Sequence, residues 1–277
     1  VHDVALLDEL QLILGAPMRP VRPREADPLD QLTGLEELTT FADRSSSGRG
    51  RRERLEEERT DYAHVIVDEA QDLTPMQWRM VGRRGRHATW TVVGDPAQSS
   101  WSDPDEAALA RDEALGTRPR RRFTLTVNYR NPSEIAELAA KVLALAMPGM
   151  RSPDAVRSTG LTPRFAVTAA DRMCIRDRLL GEVDGTVGVV VAMNRREQAR
   201  RWLAGLGDRV VALGSLEAKG LEYDATLVVS PAEIADESPA GLRVLYVALT
   251  RATQQLTVLS TGRDEPDAAG VPDLLRD

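Results

Sequence analysis

Apolar residues along this chain change their spacing several times, and each change marks a predicted element. Residues 4–14 (VALLDELQLIL) repeat at helical intervals and predict a helix. From Pro17 to Ser47 that period gives way to proline, serine, glycine and mixed charge, which predicts loop, with only Leu32–Leu38 hinting at a helical turn. Residues 49–59 (RGRRERLEEER) carry dense charge of both signs, the pattern of a solvated helix with i,i+4 pairs. Beyond them, short β-branched runs predict strands at Tyr62–Val67, Trp90–Val93, Phe123–Val127, Arg164–Val167, Val187–Ala192, Val210–Leu213, Thr226–Val229 and Leu256–Leu259. Helical spacing at Pro132–Ala146, Arg195–Leu206 and Gly241–Ala252 falls between several of them. Such alternation predicts an α/β fold with mostly parallel sheets covered on both faces. A crossover helix is also expected between the strands at 164–167 and 187–192, but residues 169–183 offer only a thin apolar stripe.

Length adds a domain count: 277 residues correspond to about two domains of 100–200 residues. A basic, proline-containing stretch at 117–124 (TRPRRRFT) is a natural boundary. No apolar run approaches the ~18 residues of a membrane span, and the start carries no basic, apolar leader. One cysteine, Cys174, excludes an intrachain disulfide, and three scattered histidines have no metal-ligand spacing, so a reducing cytoplasm is expected. Net charge is −7, which excludes a simple basic nucleic-acid binder and requires either a local groove or a protein partner. Positive charge is almost entirely arginine, with lysine only at Lys141 and Lys219. The first residue, Val1, fits a piece of a longer chain.

Five short segments carry the chemistry. In VIVDEAQD a hydrophobic strand ends in Asp68 and Glu69, placing two carboxylates at the carboxyl edge of a parallel sheet, where α/β proteins bind ligands. Phosphoryl transfer needs a carboxylate on Mg²⁺ and a second group to orient the attacking water; Asp68 suits the first task and Glu69 the second. VVGDPAQSSW repeats this arrangement one strand later, with Gln98 an uncharged donor for a terminal phosphate and Trp101 a ring able to stack on a base. TVNYRN sets the Tyr129 ring beside the Arg130 guanidinium. AKGLEYD follows another strand and offers Gly220 and Glu222; LYVALTRAT is an apolar helix with Arg251 at its end. Taken singly, an acidic strand exit, a packed tryptophan and a salt-bridged arginine are the ordinary readings of these residues.

In this fixed order the five segments resemble the nucleotide-hydrolysis motifs of UvrD/Rep-type superfamily 1 helicases. The resemblance implies tandem RecA-like domains with ATP and Mg²⁺ between them: 61–122 the rear part of the first, 123–277 the second, and 1–60 a remnant of the region before them. It assigns Tyr129 to the adenine, Glu222 to the nucleotide sugar, and Gln98, Arg130 and Arg251 to the γ-phosphate. The P-loop pattern G-x-x-x-x-G-K-[ST] occurs nowhere in the chain, so the 277 residues alone are expected to be inactive. Two segments depart from the family: SDPDEA follows Trp101 where an aromatic–arginine element is usual, and Ser215-Leu216-Glu217 precede Lys219 where threonine and histidine are usual.

Within the superfamily, RRGRHATWTVVGDPAQSSW, GSLEAKGLEYDATLVV and SPAGLRVLYVALTRAT are most similar to actinobacterial HelD-like proteins. That resemblance implies an ATP-driven factor acting on RNA polymerase–nucleic acid complexes. A DNA-translocating helicase on single-stranded or duplex DNA and a non-catalytic polymerase-binding module are the alternatives.

Overall fold

Val187–Val191 (β6) is apolar at every non-glycine position and buried throughout, as a strand covered on both faces must be. In the computed structural model, which describes residues 2–14, 62–101, 104–168 and 184–261, β6 lies inside a five-stranded parallel sheet. Its partners are Arg164–Thr168 (β5), Val210–Gly214 (β7), Tyr223–Val229 (β8) and Ala252–Thr261 (β9), in the order β5-β9-β8-β6-β7. The register sets Val187 against Val210 and Ala225, and Leu227 against Thr257. Side chains alternate between two cores. Val189, Val191, Leu227 and Val229 face Arg196–Leu203 (α5) through Ala199 and Leu203. Val190, Val228 and Val258 face the opposite way, toward Ser133–Ala146 (α4), Pro231–Asp236 (α6) and Gly241–Leu249 (α7). The α/β class and the parallel sheets expected from the alternation are both present.

The described residues fall into two compact units. The smaller holds His2–Leu14 (α1), His64–Val67 (β1), Pro75–Arg84 (α2), Thr89–Val92 (β2) and Pro104–Leu115 (α3). Here β1 and β2 form a two-stranded parallel sheet, and Thr74 starts α2 with a reciprocal cap in which its hydroxyl accepts from the Gln77 amide at 3.2 Å. Arg83 and Arg84 tie α2 to Asp8 and Glu9 of α1. The larger unit holds the five-stranded sheet, residues 69–72 and 94–104, and a two-stranded parallel sheet of Val127–Pro132 (β3) and Asp154–Arg157 (β4). No helix among the described residues is long and apolar enough to cross a membrane.

Three elements differ from expectation. The β-branched run at Phe123–Val127 is not a strand: Phe123 and Leu125 are 82% and 86% exposed, and pairing begins only at Val127 opposite Asp154. β4 was not anticipated, because two of its four residues are charged and leave no period to read. The last helix stops at Leu249 rather than Ala252, since the Arg251 carbonyl already accepts the Tyr223 amide at 3.0 Å and the chain has entered the sheet ladder. The suggested turn at 32–38, the charged run at 49–59 and the stretch at 169–183 with Cys174 lie outside the described residues.

At the start of α4 the Glu134 carboxylate accepts the Ser158 hydroxyl at 2.6 Å and the Gly160 amide at 2.7 Å. The Ser158 bond, then the helix's own amide and the Gly160 and Thr159 amides, lower its pKa from 4.5 to about 2. A depressed carboxylate stabilises the fold above its unfolded pKa, and that contribution disappears as pH falls through the folded value of about 2. Carboxyl-carbon NMR should therefore find Glu134 titrating near 2 and Ser158→Ala moving the midpoint upward; a midpoint at the ordinary value in the native chain would refute the clasp.

Candidate active site

The motif loops meet at the amino edge of the large sheet, just before β8 and β9, through backbone and side-chain contacts. Glu69 has φ of 49°, a left-handed conformation seldom taken by a residue with a Cβ. Such strain persists where surrounding bonds fix it, and here the Asp72 amide donates to the Glu69 carbonyl at 2.9 Å. Gln71 then links two motifs. Its Nε2 donates to Glu69 Oε2 at 2.6 Å, and its Oε1 accepts the Asp95 amide at 2.9 Å. Gly94 makes this approach possible, since a Cβ there would stand 2.8 Å from that oxygen.

Asp95 caps the short turn Pro96–Gln98, accepting the Ala97 amide and the Gln98 Nε2, each at 2.9 Å. Gln98 Oε1 in turn accepts from Arg251 Nη2 at 3.4 Å. Lys219 joins the same loops from AKGLEYD, donating to an Asp72 carboxylate oxygen and to the Gln98 carbonyl. Arg243, the one cation in α7, donates to the Ser99 carbonyl at 2.9 Å and the Trp101 carbonyl at 2.7 Å.

Arg251 does not project from a helix end as the sequence suggests. It folds inward and is 2% exposed, bonding Val247 O at 3.0 Å, Leu221 O at 3.3 Å and Thr250 Oγ1 at 3.3 Å. All of its acceptors are neutral, and no carboxylate among the described residues forms an ion pair with it. Burial, and after it the positive charge of Arg130, hold its pKa below the ordinary arginine value. Glu222 and Glu69 act on it only through space, and a buried cation with no bonded carboxylate is a strong attractor for an anion.

Arg130 pairs with Glu222 at 2.6 Å, both side chains nearly half exposed, while the Tyr129 ring is 75% exposed. The NYRN turn is held by its two asparagines. Asn128 Oδ1 accepts the Arg130 and Asn131 amides, and buried Asn131 donates to the Thr250 and Ala252 carbonyls, both at 2.8 Å. Trp101 is half-buried, with its indole Nε1 enclosed and without a hydrogen-bond partner among the described residues. Asp68 stands exposed at the exit of β1 in the smaller unit. Among the described residues no three His, Cys, Asp or Glu cluster to cage a metal. Mg²⁺ bound with nucleotide retains several waters and needs only one or two carboxylates, a demand Asp68 can meet.

A family model described as the viral superfamily 1 RNA helicase core domain matches residues 35–260. The chain belongs to the superfamily 1 helicase core family. This helicase core is also 32% identical over 138 residues to the RecBCD enzyme subunit RecB of Mycobacterium tuberculosis, in strains CDC 1551 and H37Rv. The match covers 48% of this chain and 12% of each RecB. Among solved structures, the C-terminal domain of a possible DNA helicase from Lactobacillus plantarum WCFS1 aligns at 20% identity and a TM-score of 0.35, over 49% of this chain and 88% of that one. Arterivirus nonstructural protein 10, a helicase, aligns at 14% identity and a TM-score of 0.41, over 78% of this chain and 42% of that one.

Motif order in the sequence pointed to Gln98, Arg130, Arg251 and Glu222. It missed Arg243 and Asn131, although a lone arginine within GLRVLYVAL and a second asparagine closing TVNYRN were available signals. Replacing Asn131 by alanine removes its amide donors and leaves two carbonyls inside the protein unmatched, which should cost at least about 2 kcal/mol. Urea unfolding should show a lower midpoint at unchanged slope; a loss within ~0.5 kcal/mol would mean the asparagine clamp carries no stability.

Proposed function

We propose that this helicase core supplies the ATP-coupling face of a superfamily 1 motor, with Arg251 as its arginine finger. The observation that carries the reading is the continuous hydrogen-bonded path Glu69–Gln71–Asp95–Gln98–Arg251. It links the carboxylate assigned to the attacking water to the buried guanidinium assigned to the γ-phosphate. An anion at Arg251 would pair directly with a buried charge that no carboxylate among the described residues bonds, and such a finger contributes about 10³–10⁵ in rate. Within the same reading, Asp68 holds Mg²⁺, Glu69 orients water, Tyr129 stacks on adenine and Glu222 takes the sugar. Arg130 is shared between Glu222 and the γ-phosphate. Because the P-loop pattern is absent from these residues, we assign the phosphate cradle to sequence outside them.

The chain alone should then hydrolyse no ATP above background. In the protein carrying the cradle, Glu69→Gln and Arg251→Ala should each lower kcat at least ~100-fold with KM little changed, as expected for groups acting in the transition state. Tyr129→Ala should chiefly raise KM. If Arg251→Ala left turnover within about threefold, a loss below ~0.7 kcal/mol, the finger assignment would fail.

We further propose that the motor acts on RNA polymerase–nucleic acid complexes, in the manner of HelD-like factors. Support comes from a net charge of −7 and from Asp105 and Glu106 beginning the helix that follows Trp101. The residues before Lys219 add to it. Ser215 donates to Glu237 at 2.6 Å, and Glu217 is engaged by Arg196 and the Gly214 amide, an arrangement without a basic or aromatic nucleic-acid contact. The identity with RecB favours a second reading, a UvrD/Rep-type helicase translocating on DNA.

Titration at two salt concentrations separates the two. Binding through six to ten phosphates loses about 10³–10⁵ in affinity between 50 and 200 mM salt, whereas a mixed protein interface loses less. The polymerase reading expects tight, weakly salt-dependent polymerase binding and poor strand displacement on a tailed duplex. Steeply salt-dependent binding to single strands, robust unwinding and no polymerase binding would replace it with the DNA helicase. Polymerase binding without ATP turnover in the cradle-bearing protein would leave a non-catalytic module.

A further inference from the structure

In the smaller unit a cavity of about 460 Å³ opens between α1, α2 and α3, and arginines dominate its wall. Arg79 and Arg83 stand one turn apart on α2, Arg86 follows from the turn beyond its C-cap Gly85, and Arg118 joins them from beyond α3. Small residues make the room. Gly82 packs so near Ala114 that an added Cβ would sit 3.0 Å from the alanine methyl.

The charges in this wall are not equivalent. Arg83 is neutralised by Asp8 and Glu9. Arg118 is fixed by three backbone carbonyls, those of Leu115, Gly85 and Arg86, which orient its guanidinium without cancelling its charge. Arg79 and Arg86 are exposed and form no ion pair among the described residues, and Glu113 is the only acid in the lining. Cations near a helix C-terminus can simply complement its dipole, and Arg84 does so by bonding the Met80 carbonyl. That explanation does not reach Arg79, which sits mid-helix where the dipole offers a cation nothing.

We propose that this cavity is a phosphate-binding site, built from Arg79, Arg86 and Arg118 outside all of the nucleotide motifs. Guanidinium groups bind phosphate oxygens through paired, charge-assisted hydrogen bonds, and an oriented Arg118 flanked by two arginines without an ion pair among the described residues suits that chemistry. A nucleic-acid backbone and a free polyphosphate both present it.

The test uses the 277-residue chain, with inorganic tripolyphosphate followed by calorimetry and a labelled single-stranded oligonucleotide followed by anisotropy. Arg79→Glu/Arg86→Glu should weaken binding about tenfold or more. The same charge change on an exposed helix elsewhere, Arg200→Glu/Arg201→Glu, should leave it within about twofold. If the reversed pair unfolds, Arg79→Gln/Arg86→Gln carries the same expectation. Loss of oligonucleotide binding alone identifies a strand backbone, with the salt slope shallower by about 0.7 for each phosphate contact removed. Loss of tripolyphosphate binding alone identifies a free phosphoanion. The proposal is overturned if neither probe binds below about 1 mM, or if the control pair weakens binding as much as the pocket pair.

Discussion

A guanidinium held away from water must have its N–H groups met, and much of the larger unit's polar architecture follows from meeting those of Arg251. Its acceptors come from the end of α7, from the turn before β8 and from Gln98. Those three pieces are therefore fixed relative to one another by one side chain. Asn131 performs a similar task a few residues away, tying the NYRN turn to the carbonyls on either side of Arg251. The parallel sheet makes both possible: β8 and β9 begin on the same side, and the chain entering them supplies the Leu221, Thr250 and Ala252 carbonyls.

The fold was legible where burial was complete. β6 and β8 are apolar over most of their length because both faces are covered, and such runs have few other uses. Legibility failed where burial is partial. The run at Phe123–Val127 has strand composition but no partner until its last residue, while β4 has a partner without strand composition. Pairing is a property of two segments, and neither segment alone records it.

Site residues divide in a similar way. Gln98, Tyr129, Arg130, Glu222 and Arg251 were singled out because each lies in a short motif with a recognisable order, and the structure brings Gln98 to Arg251 and Arg130 to Glu222. The Arg130–Glu222 pair, the Lys219 bridge to Asp72 and the grip of Arg243 on the Ser99 and Trp101 carbonyls join positions far apart in the chain, so no local spacing announces them. Glu69 illustrates a third case. Its left-handed backbone is invisible in the letters DEAQD, since glutamate has no special preference for that conformation and takes it only because the loop around it is over-determined.

The two small parallel sheets, β1–β2 and β3–β4, bear on how the protein behaves as a material. Each has only two strands, and among the described residues each presents outward-facing backbone donors and acceptors of the kind another chain could pair with. Ile66 and Val156, on these strands, are 69% and 60% exposed and would add apolar contact to such pairing. Against this stands a net charge of −7, whose mutual repulsion between molecules weakens as salt is added. Colloidal stability of the isolated chain is thus a contest between open strand edges and long-range charge, and ionic strength is the dial that sets its outcome.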